Sequence, residues 1–218
     1  MAGDRHTSTQ QVELITDEDE RARKEAENGL KQVDLALSII RSFVKDADRP
    51  FSLRQSMLMQ LHAVVLEGLH SLAGTFRNGP AEIQGSGHQP APAYRVADEV
   101  ADMCQYVNDN WKGKSAIHLC AYVLWRLNWI HPFADGNGRT ARALSYVVLS
   151  IKLDSLLPGT TSIPEQIALD KGPYYDALEC ADAAWKKDGT VDVSELEKML
   201  SAMLAKQLYQ AAQEADGQ

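Results

Sequence analysis

The residues His131-Pro132-Phe133-Ala134-Asp135-Gly136-Asn137-Gly138-Arg139-Thr140-Ala141-Arg142 decide how the chain is read, because apolar helical sequence lies on both sides of them. Upstream, residues 117–130 (IHLCAYVLWRLNWI) are apolar almost all round, which predicts a deeply buried helix. Pro132 stops it just past His131. Downstream, residues 139–153 resume a helical pattern with no Gly or Pro. The turn Gly136-Asn137-Gly138 therefore abuts a helix N-terminus. Such an end offers N–H groups without acceptors in their own helix and a partial positive charge, and glycine lets a phosphate approach the backbone.

The side chains of this turn divide into chemical roles. His131 can take a proton near neutral pH. Asp135 supplies the hard oxygen that magnesium takes from one or two carboxylates while substrate phosphates complete its shell. Arg139 and Arg142, three apart on one helix face, can clamp phosphate oxygens with paired hydrogen bonds. None of these residues resembles a phosphorylated intermediate or a reactive thiol, so direct in-line attack on phosphorus is the simpler chemistry.

With 218 residues, 44% hydrophobic and 24% charged, the chain is long enough for one core domain, with or without an appended helical piece. A net charge of −8 argues against nonspecific binding of nucleic acid. No uncharged apolar run reaches the length of a membrane span, and residues 1–13 (MAGDRHTSTQQVE) have no apolar centre for a signal peptide. The expectation is a cytoplasmic protein with no membrane partner, acting in its own cell or delivered to another. Cys104, Cys120 and Cys180 are widely spaced within helical patterns and read as small buried hydrophobes, not as a disulfide framework or a metal site.

Residues 1–15 are polar and aperiodic and are expected to be mobile. A helical segment is expected over 16–48, opened by Thr16 and the acids 17–19, with Ala22, Ala26, Leu30, Val33, Leu37 and Ile40 at helical spacing. Asn28-Gly29 weakens its middle, so one helix or two can form. After a linker, Ser52-Leu53-Arg54-Gln55 reads as a capping box opening a helix to about residue 72. His62 and His70 lie on it, eight apart, too far to share a metal without another element. Residues 74–92 are rich in Gly and Pro, with Asn78-Gly79 as a turn signal, and predict a β-hairpin. The next helix spans 93–110, with Val96, Val100, Met103 and Val107 on one face. Ser162, Pro164 and Glu165 then cap a further helix, and Tyr174-Tyr175 starts another. Residues 188–195 mimic half of a calcium loop, but Ala184 and Lys186 stand at two ligand positions. Ser194 with Glu197 is better read as the cap of a last helix running to about 212, with 214–218 frayed.

The central stretch resembles the signature of the Fic family: His131, Phe133, Asp135, Gly136, Asn137, Gly138, Arg139 and Arg142 fill every specified position in order. The resemblance implies a mainly helical fold with a small hairpin flap, a catalytic domain over 49–213, and an enzyme that moves AMP from ATP to a Ser, Thr or Tyr hydroxyl of a target protein or of itself. It implies His131 as general base, Asp135 as the Mg2+ ligand, Gly136, Asn137, Gly138 and Arg139 at the β phosphate and Arg142 at the γ phosphate. Tyr174 and Tyr175 would line the adenine side, with Asp182 where the family often has Asn. The flap residues Ile83, Gln84, Gly85, Ser86, Gly87 and His88 would dock the target backbone. Glu27-Asn28 resembles the end of the family's inhibitory helix motif, with Arg23 where Ser or Thr is usual, which implies that Glu27 pairs with Arg142. Other readings stay open at this point: a nucleotide-binding regulator without transferase activity, an enzyme that moves a different phosphate-containing group, or one that removes AMP. A homodimer through residues 196–208 is a further expectation.

Overall fold

The computed structural model describes residues 7–8, 13–46 and 49–216. In chain order these form β1 (Thr7–Ser8), α1 (Glu18–Val44), α2 (Gln55–Val65), β2 (Glu82–Ile83), α3 (Val96–Asp109), α4 (Ala116–Ile130), α5 (Asn137–Lys152), α6 (Ile163–Leu169), α7 (Gly172–Asp188) and α8 (Ser194–Asp216). The fold is all-α with one small β element.

α4 is the axis of the structure because its sequence gives it no face for water. Leu119, Val123, Leu124, Trp125, Leu127 and Ile130 are fully buried, and α3, α5, α7 and α8 pack around it. Ser115 caps it, accepting the His118 N–H at 3.0 Å. α1 lies across α2 and α5 as one unbroken helix. The Asn28 that weakens it locally is buried and donates to the carbonyls of Val65 and Glu67 at 3.2 and 2.8 Å, while Gln32 donates to Leu61 at 3.1 Å. Its cap is Asp17, whose carboxylate takes the Glu20 N–H. No helix among the described residues is long and apolar enough to cross a membrane.

Several expectations are corrected. The box expected at Ser52-Gln55 is not made, since Arg54 holds the cap position of α2 without a side-chain bond. That helix ends at Val65, and the chain then turns through Gly68 at φ 72°. Glu197 does not return to Ser194; it takes the His118 Nδ1–H at 2.6 Å. Cys180 is exposed, unlike Cys104 and Cys120. The region 74–92 does not pair with itself as a hairpin. Prolines 80, 90 and 92 remove ladder donors, and a tight turn through Gly85 closes by Ser86 N–H to Ile83 O directly after β2. The partner of β2 is instead β1, antiparallel, with Thr7 opposite Ile83 and Ser8 opposite Glu82. Two residues of the segment expected to be mobile thus form this strand, and Leu14 N–H reaches Leu69 O at 3.1 Å.

Candidate active site

α4 ends on His131, whose backbone is left-handed at φ 52°, ψ 59°, and whose N–H closes the helix on Leu127 O. A non-glycine residue in that region costs free energy and persists only where its surroundings hold it. Arg77 does the holding. Its guanidinium, buried in the loop after α2, donates to His131 O at 2.7 Å, Gly79 O at 2.9 Å, Ile130 O at 3.4 Å and Ala91 O. Its own N–H reaches Pro132 O at 2.9 Å. A cation thus sits on the negative end of α4 and ties both roots of the flap to the backbone of the histidine.

The His131 ring is oriented by Asn128, whose carbonyl lies 3.3 Å from Nδ1. A carbonyl only accepts, so Nδ1 carries the proton and the lone pair of the neutral ring is on Nε2. Burial pushes the His131 pKa down to about 4, so the ring is neutral at pH 7. Beneath the turn, His62 stacks on Phe133, with ring centroids 3.6 Å apart and planes 7° apart. Its Nδ1 accepts the Gly74 N–H at 3.0 Å and its Nε2 donates to Asp135 O at 3.0 Å. Burial pushes this ring to about 4 as well. His62 is a core histidine, as its spacing suggests, and it also props the signature turn.

These two rings set a pH dependence of stability. Unfolded, each titrates near 6.5; folded, near 4. As pH falls the unfolded chain binds protons that the fold refuses, so stability is full above 6.5 and is lost as pH drops from 6.5 toward 4. Each histidine contributes a slope approaching about 1.4 kcal/mol per pH unit. Urea denaturation between pH 7.5 and 5, above the range where most carboxylates titrate, should show midpoints falling with pH. Constant midpoints over that window would contradict the burial of neutral rings.

At the start of α5, Asp135 Oδ1 accepts the Gly136 N–H at 2.6 Å and Oδ2 meets Arg139 at 3.0 Å. Burial alone would raise the Asp135 pKa, but Arg139, the Gly136 N–H and Arg21 outweigh it and hold the carboxyl below its usual range. One ionised carboxylate beside a helix N-terminus fits the donor set magnesium uses with nucleotides. Among the described residues no group of three His, Cys, Asp or Glu side chains could hold an ion without such help. Gly136 has φ 74°, and a Cβ there would stand 3.2 Å from Val65 Cγ1 and 3.4 Å from the His62 ring. A side chain at Gly138 would meet the Arg142 guanidinium at 3.3 Å, so this glycine leaves the arginine its place. The Asn137 side chain accepts from Phe133 N and donates to Phe133 O, at 2.9 and 2.8 Å. Its side chain therefore closes the turn.

The approach of α1 also differs from expectation. Glu27 is exposed and pairs with Lys31 at 2.8 Å and Lys24 at 3.2 Å; it does not meet Arg142. Glu25 is the carboxylate that faces the signature, 3.8 Å from Arg139, and Arg21 lies 3.9 Å from Asp135 Oδ2.

Beyond Asn128 a narrow cleft opens between α4, α7 and the flap, walled by Ile83, Ser86, Trp129, Tyr175, Leu178 and Asp182 among others. Tyr175 lines it. Tyr174 does not: it is buried in the core, its hydroxyl accepting from Asn128 Nδ2 at 2.8 Å. Asp182 accepts from the Trp125 indole N–H at 2.9 Å, which makes it part of the wall. On the flap, Gln84, Gly85 and Gly87 are exposed, whereas His88 is buried and donates from Nε2 to Trp129 O at 2.7 Å. Its side chain anchors the flap to α4. Sequence reading missed Asn128 and Trp129 as site residues; the available signal was a pair of polar positions, Arg126 and Asn128, near the end of a mostly apolar helix.

Residues 52–149, a little under half of the chain, match the Fic/DOC family. A curated relative, protein adenylyltransferase fic-1 of Caenorhabditis briggsae, is 33% identical over 94 residues, which is 42% of this chain and 18% of that protein. The match thus spans less than a fifth of the relative's length. Among solved structures, a Fic domain containing signaling protein from Bacteroides thetaiotaomicron superposes with a TM-score of 0.69 at 22% identity, covering 89% of this chain and 74% of that one. Fic-1 from C. elegans gives 0.64 at 22% identity, covering 93% and 55%. At these identities the structures establish the shared fold.

Proposed function

We propose that the protein is an adenylyltransferase that moves AMP from ATP to a hydroxyl side chain of a protein. The observation that carries this reading is the placement of a neutral, buried His131, its lone pair on Nε2, one turn from a glycine-bordered helix start flanked by Asp135, Arg139 and Arg142. Similarity to a relative named as an adenylyltransferase supports it. The target hydroxyl oxygen attacks the α phosphorus, the bond to the β-bridging oxygen breaks, pyrophosphate leaves, and the proton passes to His131 Nε2. The first turn of α5 and the guanidiniums of Arg139 and Arg142 receive the β and γ phosphates, where negative charge accumulates. Asp135 would hold Mg2+, which supplies neutralising charge at the phosphates. The cleft beside Tyr175 takes the adenine, and the flap edge takes the target as an added strand.

α1 restrains this site through Glu25 and Arg21, which engage the two side chains that the nucleotide and its metal need. Glu25→Gly should raise transfer up to about fivefold, the scale of a half-exposed ion pair of up to about 1 kcal/mol, while Glu27→Gly should change it little. The reverse ranking would restore Glu27 as the inhibitory residue.

The test of the reading is incubation with ATP labelled on the α or the γ phosphate. Label from the α position should appear on protein, and label from the γ position should not. No label on the protein itself or on any lysate protein, even with Glu25→Gly, would favour a nucleotide-binding regulator. Label from the γ position would mean a different transferred group.

A further inference from the structure

α1 approaches the signature at one end only, where Arg21 and Glu25 meet Asp135 and Arg139. Toward its other end, about 20 Å along the helix from Glu25 at 1.5 Å per residue, it borders a second concave surface. Ile39 and Phe43 of α1 and Met57 of α2 form the apolar side of a groove with about 270 Å³ of room. Arg49, Ser52, Arg54 and Ser56 bring hydrogen-bond donors to it. No carboxylate among the described residues lines this groove, in a chain with 30 acidic residues against 22 basic ones. The two cations are held differently. Arg49 Cζ lies 4.2 Å over the Phe43 ring, and its Nη1 donates to Ser42 O at 3.3 Å. Phe51 meets the same ring edge-on, with centroids 5.3 Å apart. The plane of Arg49 is thus braced while one of its five donors is used. Arg54 stands at the cap position of α2 without a side-chain cap bond. Neither guanidinium forms an ion pair among the described residues.

We propose that this groove binds a small organic phosphate, with its phosphoryl oxygens on Arg49, Arg54 and the hydroxyls of Ser52 and Ser56, and its carbon body on Ile39, Phe43 and Met57. Two cations at one groove with no carboxylate beside them are complemented by an anion from outside. A phosphate monoester suits them better than a carboxylate, because three terminal oxygens can take a guanidinium fork and still accept from hydroxyls. The apolar side asks for more than the bare ion, since it offers burial to carbon and nothing to a fourth oxygen. The inference does not depend on the transferase reading, because it uses no residue of the signature.

Phenyl phosphate is the probe, a phosphate monoester on a flat apolar ring. It is titrated into the full chain at pH 8, without nucleotide or magnesium, and followed by isothermal titration calorimetry. Saturable binding is expected, weakened about tenfold or more by Arg49→Gln or Arg54→Gln, the scale of one charge-assisted hydrogen bond. Arg139→Gln, at the signature, should leave the affinity within about twofold of the parent. Inorganic phosphate and phenylacetate should each bind several-fold more weakly than phenyl phosphate. Circular dichroism checks that the variants are folded. Should a glutamine variant melt early, Ser56→Asp serves in its place, because an acid in the first turn suits the helix and repels a phosphate; it should abolish binding. Absence of saturable binding at millimolar probe, or an affinity that survives the groove substitutions, would overturn the inference. So would an affinity lost in Arg139→Gln, which would place the probe at the signature turn. Inorganic phosphate binding as tightly as the ester would overturn the organic ligand, and phenylacetate binding as tightly would overturn the phosphate.

Discussion

His131→Ala is expected to lower AMP transfer by about 10²–10⁴-fold, the usual contribution of a positioned general base. The loss should fall on kcat, since no part of the phosphate cradle is built from this side chain, and KM for ATP should move little. Alanine is also strained at φ 52°, so a fall in stability alone could mimic part of the effect. His131→Asn separates the two, because asparagine tolerates left-handed backbone far better than alanine. It should keep the melting temperature and lose the rate. Transfer retained within a few fold in both variants, read as label incorporated from α-labelled ATP, would remove His131 from the role of base.

Arg77→Met is expected to be the most damaging substitution outside the signature. It withdraws charge-assisted donors from buried carbonyls of Ile130, His131, Gly79 and Ala91 at once. A buried acceptor left unpaired costs about 1–3 kcal/mol, so a total loss of about 3 kcal/mol or more follows, or roughly 10 °C in melting temperature for a chain of this size. The left-handed His131 loses its clamp and the flap loses both roots, so transfer should fall further than stability alone explains at temperatures where the variant is folded. Arg77→Lys should recover little, because one ammonium cannot reach carbonyls spread over a fork. A melting temperature within a few degrees of the parent, measured by circular dichroism, would contradict the clamp.

Much of this site is legible in the sequence because its parts are contiguous. Phosphate binding by a helix start needs a helix breaker, glycines and cations within one turn, and residues 131–142 hold all of them. The burial of α4 and the capping of α6 are equally local signals and appear in the structure as read. The supporting residues are not local. His62 acts through the backbone of Gly74 and Asp135, and Arg77 through carbonyls on both sides of the flap; neither bond leaves a mark on neighbouring sequence. The facing of α1 was hidden for a different reason. Its packed stripe includes Asn28 and Gln32, polar residues that pattern reading assigns to water. Glu27 is singled out by motif resemblance, and the stripe as packed brings Glu25 beside the signature instead. The flap was misread because Asn78-Gly79 signals a hairpin while the nearby prolines deny it the donors; the strand that forms takes its partner from residues far away in sequence.

A structure with ATP and magnesium bound tests the central claim most directly. The triphosphate should lie against the first turn of α5, with the metal on Asp135, Arg142 at the outermost phosphate, adenine in the cleft beside Tyr175, and His131 Nε2 facing the α phosphorus. Nucleotide bound elsewhere on the molecule, with the turn at Gly136–Gly138 untouched even in the Glu25→Gly variant, would contradict it.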